Sequence, residues 1–249
     1  NAVSTDPNYA NAYVHLGYAY TYGSGRSINP PDKNYPKAKI AFEKSLELNP
    51  INPEALAGLG DVAFFYERNL KEGRRLSKQA IKNSPIKTET IWAYYFLLQI
   101  EGRYDEMISI TQKGVELDPK SPMLHQLLAF AYLLKGEDES AEKANAKALS
   151  LSPKFQWGMH FRSMILTKAK KYDEAVDMLN RGIKDDPDNP VSIMSLGVVY
   201  WRQGKEKESL RLLAELLHRS QFEYIKSDIF SRFYVATGDY DKAIEWVLR

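Results

Sequence analysis

The chain has no cysteine among its 249 residues. Disulfide staples, thiolate metal sites and cysteine nucleophiles are excluded with it. A cysteine-free chain folds equally well in the cytosol or the periplasm, and the cytoplasm is the expected location. An excess of one charge is missing too: 34 basic residues against 32 acidic ones leave a net charge of +2. No strong overall field draws the protein to nucleic acid or to an anionic membrane, so neither is an expected partner. No apolar run reaches the roughly 18 residues needed to cross a bilayer, so membrane insertion is not expected either. Catalytic signatures are absent: there is no Walker loop, dinucleotide fingerprint or G-x-S-x-G elbow. Gly23-Ser24-Gly25 is a flexible stretch, and His15, His125, His160 and His218 lack metal-ligand spacing. The chain is therefore expected to be no enzyme and to need no cofactor or metal.

What the sequence does have is a ruler. Pro50, Pro85, Pro119, Pro153 and Pro187 are separated by 35, 34, 34 and 34 residues, and Pro7 starts the series once a short insertion is removed. A fixed period of this length means one supersecondary unit repeated as an array. Hydrophobic content of 44% and charged content of 27% suit a folded chain. In the stretch 88–121, Ile91, Tyr94, Tyr95 and Leu98 form an apolar stripe at helical spacing. Gly102 follows, where a helix ends with a left-handed residue. Asp105 is expected to cap a second helix with Met107, Ile110 and Gly114 inward, and Asp118-Pro119 ends it. The punctuation recurs: Gly136, Gly204 and Gly238 match Gly102, and Asp173 and Asp241 match Asp105. Asn52-Pro53, Ser121-Pro122 and Asn189-Pro190 read as a cap followed by proline at the first helical position. Small residues recur where paired helices meet: Gly17, Gly60 and Gly197 on first helices, Ala38, Ala141, Ala175 and Ala243 on second ones. The unit is helix, turn, helix, turn, with nothing resembling a strand.

These features resemble the tetratricopeptide repeat. The first repeat carries Tyr13, Leu16, Gly17, Tyr20, Ala38, Phe42, Ser45 and Pro50 at the family's offsets; the sixth carries Ile193, Leu196, Gly197 and Tyr200, then has Gln221 where proline is expected. Gly73 stands in for the usual alanine and Arg162-Ser163 for Leu-Gly. The resemblance implies an all-α fold, an α-solenoid of antiparallel helix pairs in a right-handed superhelix, as a single array over 1–249. Residues 1–9 are expected to end a preceding repeat. Six repeats follow over 10–52, with an inserted loop near 23–34, and over 53–87, 88–121, 122–155, 156–189 and 190–223. A partial seventh covers 224–249. Asn1 and Arg249 both fall at position 26 of a unit, so a piece of a longer protein is expected. More weakly, Tyr35-Pro36-Lys37-Ala38 and the tail from Glu223 to Trp246 look like repeat regions of bacterial signalling proteins of the cyclase and winged-helix regulator types.

In each first helix, positions 4, 7, 8 and 11 form the buried stripe, and positions 2, 5, 9 and 12 cluster about 130° away. In the resembling family this second stripe lines the concave surface. The candidate partner-binding groove is Tyr18, Phe64, Trp92, Phe96, Phe130, Trp157, His160, Met164, Met194 and Trp201. Two readings stay open: these side chains are packed core between neighbouring first helices, or they anchor an extended peptide or amphipathic helix. The lysine and asparagine constellation with which chaperone-binding members hold a terminal carboxylate is absent. The expected function is a non-catalytic scaffold for a protein or peptide ligand. The alternatives are the regulatory or substrate-presenting arm of an enzyme, and self-association through end repeats.

Overall fold

The computed structural model describes residues 2–25, 30–85 and 87–248. The described residues form helices joined by short turns, without a strand among them: α1 (Ala2–Thr5), α2 (Ala10–Gly25), α3 (Pro31–Leu48), α4 (Pro53–Asp61), α5 (Leu70–Asn83), α6 (Thr88–Ile100) and α7 (Tyr104–Leu117), then α8 (Pro122–Lys135), α9 (Asp138–Leu151), α10 (Gln156–Lys168), α11 (Tyr172–Asp185), α12 (Pro190–Arg202), α13 (Glu206–Arg219), α14 (Ser227–Thr237) and α15 (Tyr240–Leu248). They group into two compact units, Asn1–Pro119 and Lys120–Arg249, which part between α7 and α8. In the first unit α2 pairs with α3, α4 with α5 and α6 with α7; in the second α8 pairs with α9, α10 with α11, α12 with α13 and α14 with α15. Within each unit, first helices also pack on the first helices that follow them.

The punctuation does what the sequence implies. Asn52 accepts from the backbone of Glu54 and Ala55 just ahead of Pro53, Ser121 from Leu124 ahead of Pro122, and Asn189 from Val191 and Ser192 ahead of Pro190. Each satisfies a helix-end N–H that would otherwise lack a partner. Gly102, Gly136, Gly204 and Gly238 all take φ between +68° and +86°. The same turn in the fifth repeat is made by Lys170, at φ 59°, and in the second by Arg68, at φ 56°. A side chain in that left-handed conformation costs about 1–2 kcal/mol. Asp105, Asp173 and Asp241 are not caps as expected: they lie inside the first turns of α7, α11 and α15, where a carboxylate still meets the positive end of the helix dipole. Among its described residues the inserted segment near 23–34 is helix except at Pro30, since α2 runs to Gly25 and α3 begins at Pro31, with the Asn34 amide donating to the Tyr20 carbonyl. Residues 26–29 lie outside the described ones.

The apolar stripe expected over α6 is buried at Ile91, Tyr95 and Leu98. In the first unit the wedge is Phe42 of α3, fully buried. Its ring fills the space where a Cβ would stand on Gly17 of α2, 2.5 Å away, and on Gly58 of α4, 2.3 Å away. In the second unit Leu166, Leu179, Ile193, Leu196, Val199, Leu216, Phe230 and Phe233 make one continuous core.

The second repeat departs from helical regularity. Val62–Tyr66 forms one π-helical turn directly after α4, with the Glu67 N–H donating to the Val62 carbonyl five residues back. A π turn holds one residue more than an α turn. That extra residue accounts for the 35-residue interval between Pro50 and Pro85: Arg68 stands 18 residues after Pro50, whereas Gly102, Gly136, Lys170 and Gly204 stand 17 after Pro85, Pro119, Pro153 and Pro187.

Candidate partner-binding faces

In the first unit the face in question is carried by α2, α4 and α6. Tyr18 is half-buried, edge-on to Phe42 with ring centroids 5.1 Å apart, and its hydroxyl donates to the Glu54 carbonyl at 3.0 Å. It is therefore a strut between the first two repeats. Burial holds its phenol well above the usual tyrosine range, and the nearby carboxylates of Asp61, Glu89 and Glu54 add to the effect. The Glu54 carboxylate meets Lys87 at 3.2 Å. Asp61 has a buried Oδ1 without a hydrogen-bond partner, and burial pushes its carboxyl up to about 8. Trp92 and Phe96 are half-buried on α6 and meet edge to face, 4.7 Å between centroids.

Phe64 is a correction. The π turn rotates it away from the stripe and into the core, where its ring occupies the place a Cβ would take on Gly73, 2.7 Å away. This also explains why glycine replaces the usual alanine at position 73. Phe65 comes to the surface instead, 41% exposed and edge-on to Phe96 at 4.9 Å, with Tyr66 stacked on Tyr35 at 5.4 Å. The long Pro50–Pro85 interval was the signal in the sequence that could have found Phe65.

In the second unit α8, α10, α12 and α14 carry the face. Phe130 tilts against Phe161 at 4.6 Å, and Phe161, which sequence reasoning missed, stacks loosely on Trp157 at 6.1 Å. The Arg232 guanidinium lies 5.8 Å from the Trp157 ring and pairs with Asp228 at 3.1 Å. The His160 Nδ1 is 2.7 Å from the Ser195 hydroxyl, which lies equally close to the Val191 carbonyl. Burial, with the Arg232 charge adding to it and Asp228 opposing, brings His160 down to about 3, so the ring is neutral at physiological pH. Met164 is 39% exposed and Trp201 is half-buried against Phe233. Met194 is a second correction: at 5% exposed it belongs to the core between α12 and its neighbours and offers nothing to a partner. Arg162, where leucine is usual, reaches back from α10 to pair with Glu142 of α9.

The faces thus bring together aromatic rings and a few polar groups in each unit. Among the described residues no group of three or more histidine, aspartate or glutamate side chains is placed to hold a metal ion, and no helix is long and apolar enough to cross a membrane. Antiparallel helix pairs recurring every 34 residues and, within each unit, burying their apolar sides on their neighbours define a helical-repeat protein. Residues 166–227 match the tetratricopeptide repeat family directly, and the fold is that of solved tetratricopeptide repeat proteins. The chain is 24% identical over 237 residues to the human antiviral innate immune response effector IFIT1, an overlap of 86% of this chain and 43% of that protein. The chain thus spans less than half the length of this relative. The solved human IFIT1 dimer with m7Gppp-AAAA superposes with a TM-score of 0.69 at 20% identity, covering 96% of this chain and 58% of that one. The Pseudomonas aeruginosa pilF structure superposes with a TM-score of 0.61 at 17% identity, covering 93% and 96%. At these identities the solved structures speak for the fold alone.

Proposed function

We propose that the chain is a non-catalytic interaction module that holds a protein partner, as an extended peptide or an amphipathic helix, on the first-helix faces of its units. The observation that supports this is the set of half-buried aromatic rings on those faces: Trp92 and Phe96 in the first unit, Trp157 and Trp201 in the second. A tryptophan held in place by its neighbours and still partly open is the kind of side chain that dominates binding energy at interfaces. Phe130, His160 and Met164 flank Trp157 and would shape the second unit's contact, with Met164 adapting to different ligands. The human relative was solved with a capped oligonucleotide, but the charges here favour protein. Glu89 repels phosphate on the first face, and Arg232, the one cation on the second unit's stripe, is already paired.

The test is selection of peptides from a displayed random library on the intact chain, followed by binding to Trp92→Ala and Trp157→Ala. Loss of about 2 kcal/mol with unchanged helix content supports the reading. Variants that melt would mean the rings are core, and preferential capture of capped RNA would replace the protein partner with a nucleic acid.

A further inference from the structure

Five aromatic rings form a row across three successive repeats of the first unit. Tyr66 stacks on Tyr35 of α3, and its chain neighbour Phe65 meets Phe96 of α6, which in turn meets Trp92. The π turn that carries the middle pair leaves Phe65 41% and Tyr66 37% exposed. Single exposed apolar side chains are ordinary on a protein surface, whereas a contiguous group of large ones marks a site of interaction. Neighbouring helices stand about 8–10 Å apart, so the row reaches roughly 16–20 Å, the length of about five or six extended residues. The charges beside the row favour one kind of segment. The carboxylates flanking the turn are matched: Glu67 by Lys39 at 2.7 Å, Glu72 by Arg75 at 2.7 Å, and Glu101 by Arg74 at 3.2 Å and Arg103 at 2.7 Å. Arg68, at the end of the π turn, and Lys71, in the first turn of α5, are exposed and take part in no ion pair among the described residues. The unpaired carboxylate of α6, Glu89, lies in that helix's first turn, on the far side of Trp92 from the Phe65 contact.

We infer that this row receives a short extended segment of a partner protein, an aromatic residue lying against Phe65 and Phe96 with an aspartate or glutamate beside it for Arg68 and Lys71. The inference rests on the peptide-binding reading and adds to it where on the first unit the segment lies and which charge it carries. An incoming carboxylate gains charge-assisted hydrogen bonds from a guanidinium that has no partner of its own, while a basic segment meets unmatched positive charge. Two free cations suit one or two carboxylates and not a nucleic acid, whose binding rests on many phosphate contacts.

The experiment uses the intact chain and fluorescein-labelled nine-residue peptide pools with a central aromatic pair flanked on both sides by aspartate, asparagine or lysine. Anisotropy should show the aspartate pool binding about tenfold more tightly than the asparagine pool, the scale of a charge-assisted hydrogen bond, and the lysine pool more weakly than either. Arg68→Gly together with Lys71→Gln should bring the aspartate pool down to the asparagine pool. Glycine suits the φ of 56° at position 68, so the far-UV circular dichroism and the thermal midpoint of this variant should not fall and the loss reports the missing charge. Phe65→Ala should weaken all three pools. Equal binding of the aspartate and asparagine pools overturns the inference, as does an aspartate preference that survives the double variant, or the absence of binding by every pool. Self-association of the chain that Phe65→Ala abolishes would give the row to a second copy, and an oligouridylate that outcompetes the aspartate pool would give it to a nucleic acid; either result overturns the inference. Asparagine-pool binding that Trp92→Ala abolishes and Phe65→Ala does not, without any gain from aspartate, would leave the peptide-binding reading standing and remove this one.

Discussion

Asp61 makes the stability of the protein depend on pH in a direction opposite to that of a salt-bridged carboxylate. Its carboxyl is pushed from an ordinary 3.8 to about 8 by burial alone. Between those two values the folded chain holds a proton that the unfolded chain has released. The folded state is therefore favoured at low pH and loses that advantage as pH rises, at about 1.4 kcal/mol per unit. From about pH 5 to about pH 7 the loss is on the order of 3 kcal/mol, a large part of the stability of an ordinary domain. Asp61→Asn keeps the shape and removes the titration. Urea unfolding followed by circular dichroism, wild type and variant side by side at steps from about pH 5 to about pH 8, isolates the effect because every other group titrates in both proteins. The variant should become progressively more stable than wild type as pH rises. Curves that run parallel over this range would refute the claim that the Asp61 carboxyl is held neutral by burial.

Glycine gives opposite results at different repeats: Gly58→Ala places a Cβ against the Phe42 ring and should cost about 1–3 kcal/mol. Gly197→Ala, with its nearest neighbour at 3.5 Å, should be neutral or stabilising by about 0.5–1 kcal/mol, both read from urea midpoints. Lys170→Gly relieves a left-handed side chain at an exposed turn and should raise the thermal midpoint, by about 1 kcal/mol of stability. His160, down to about 3 from 6.5, faces Arg232 and Asp228 and must take up a proton to match the unfolded chain in acid. Its contribution is complete above pH 6.5 and is lost as pH falls toward 3, so wild type should lose more stability than His160→Gln over that window.

The repeat, the caps and the helix pairing were legible because they depend on neighbours along the chain. Asn52-Pro53 needs nothing beyond its own turn to start a helix, and Gly136 nothing beyond its own φ to end one. What escaped was the register of the second repeat and the depth of individual rings. Position within a 34-residue count places Phe64 and Met194 on the open stripe, but a π turn turns the first inward and the packing of α12 closes over the second. Gly58 was invisible as a contact point because its partner, Phe42, comes from the preceding repeat. Lys170 and Arg68 show the limit in reverse: the turn geometry persists without the glycine that usually announces it.

The π turn at Val62–Tyr66 has a consequence for how such arrays change over time. An inserted residue taken up inside a helix leaves the spacing of everything downstream intact while exchanging which ring looks outward, here Phe65 for Phe64. One codon can thus repaint a recognition surface without disturbing the scaffold that carries it, and an ungapped superposition of the repeats will name the wrong contact residue wherever that has happened.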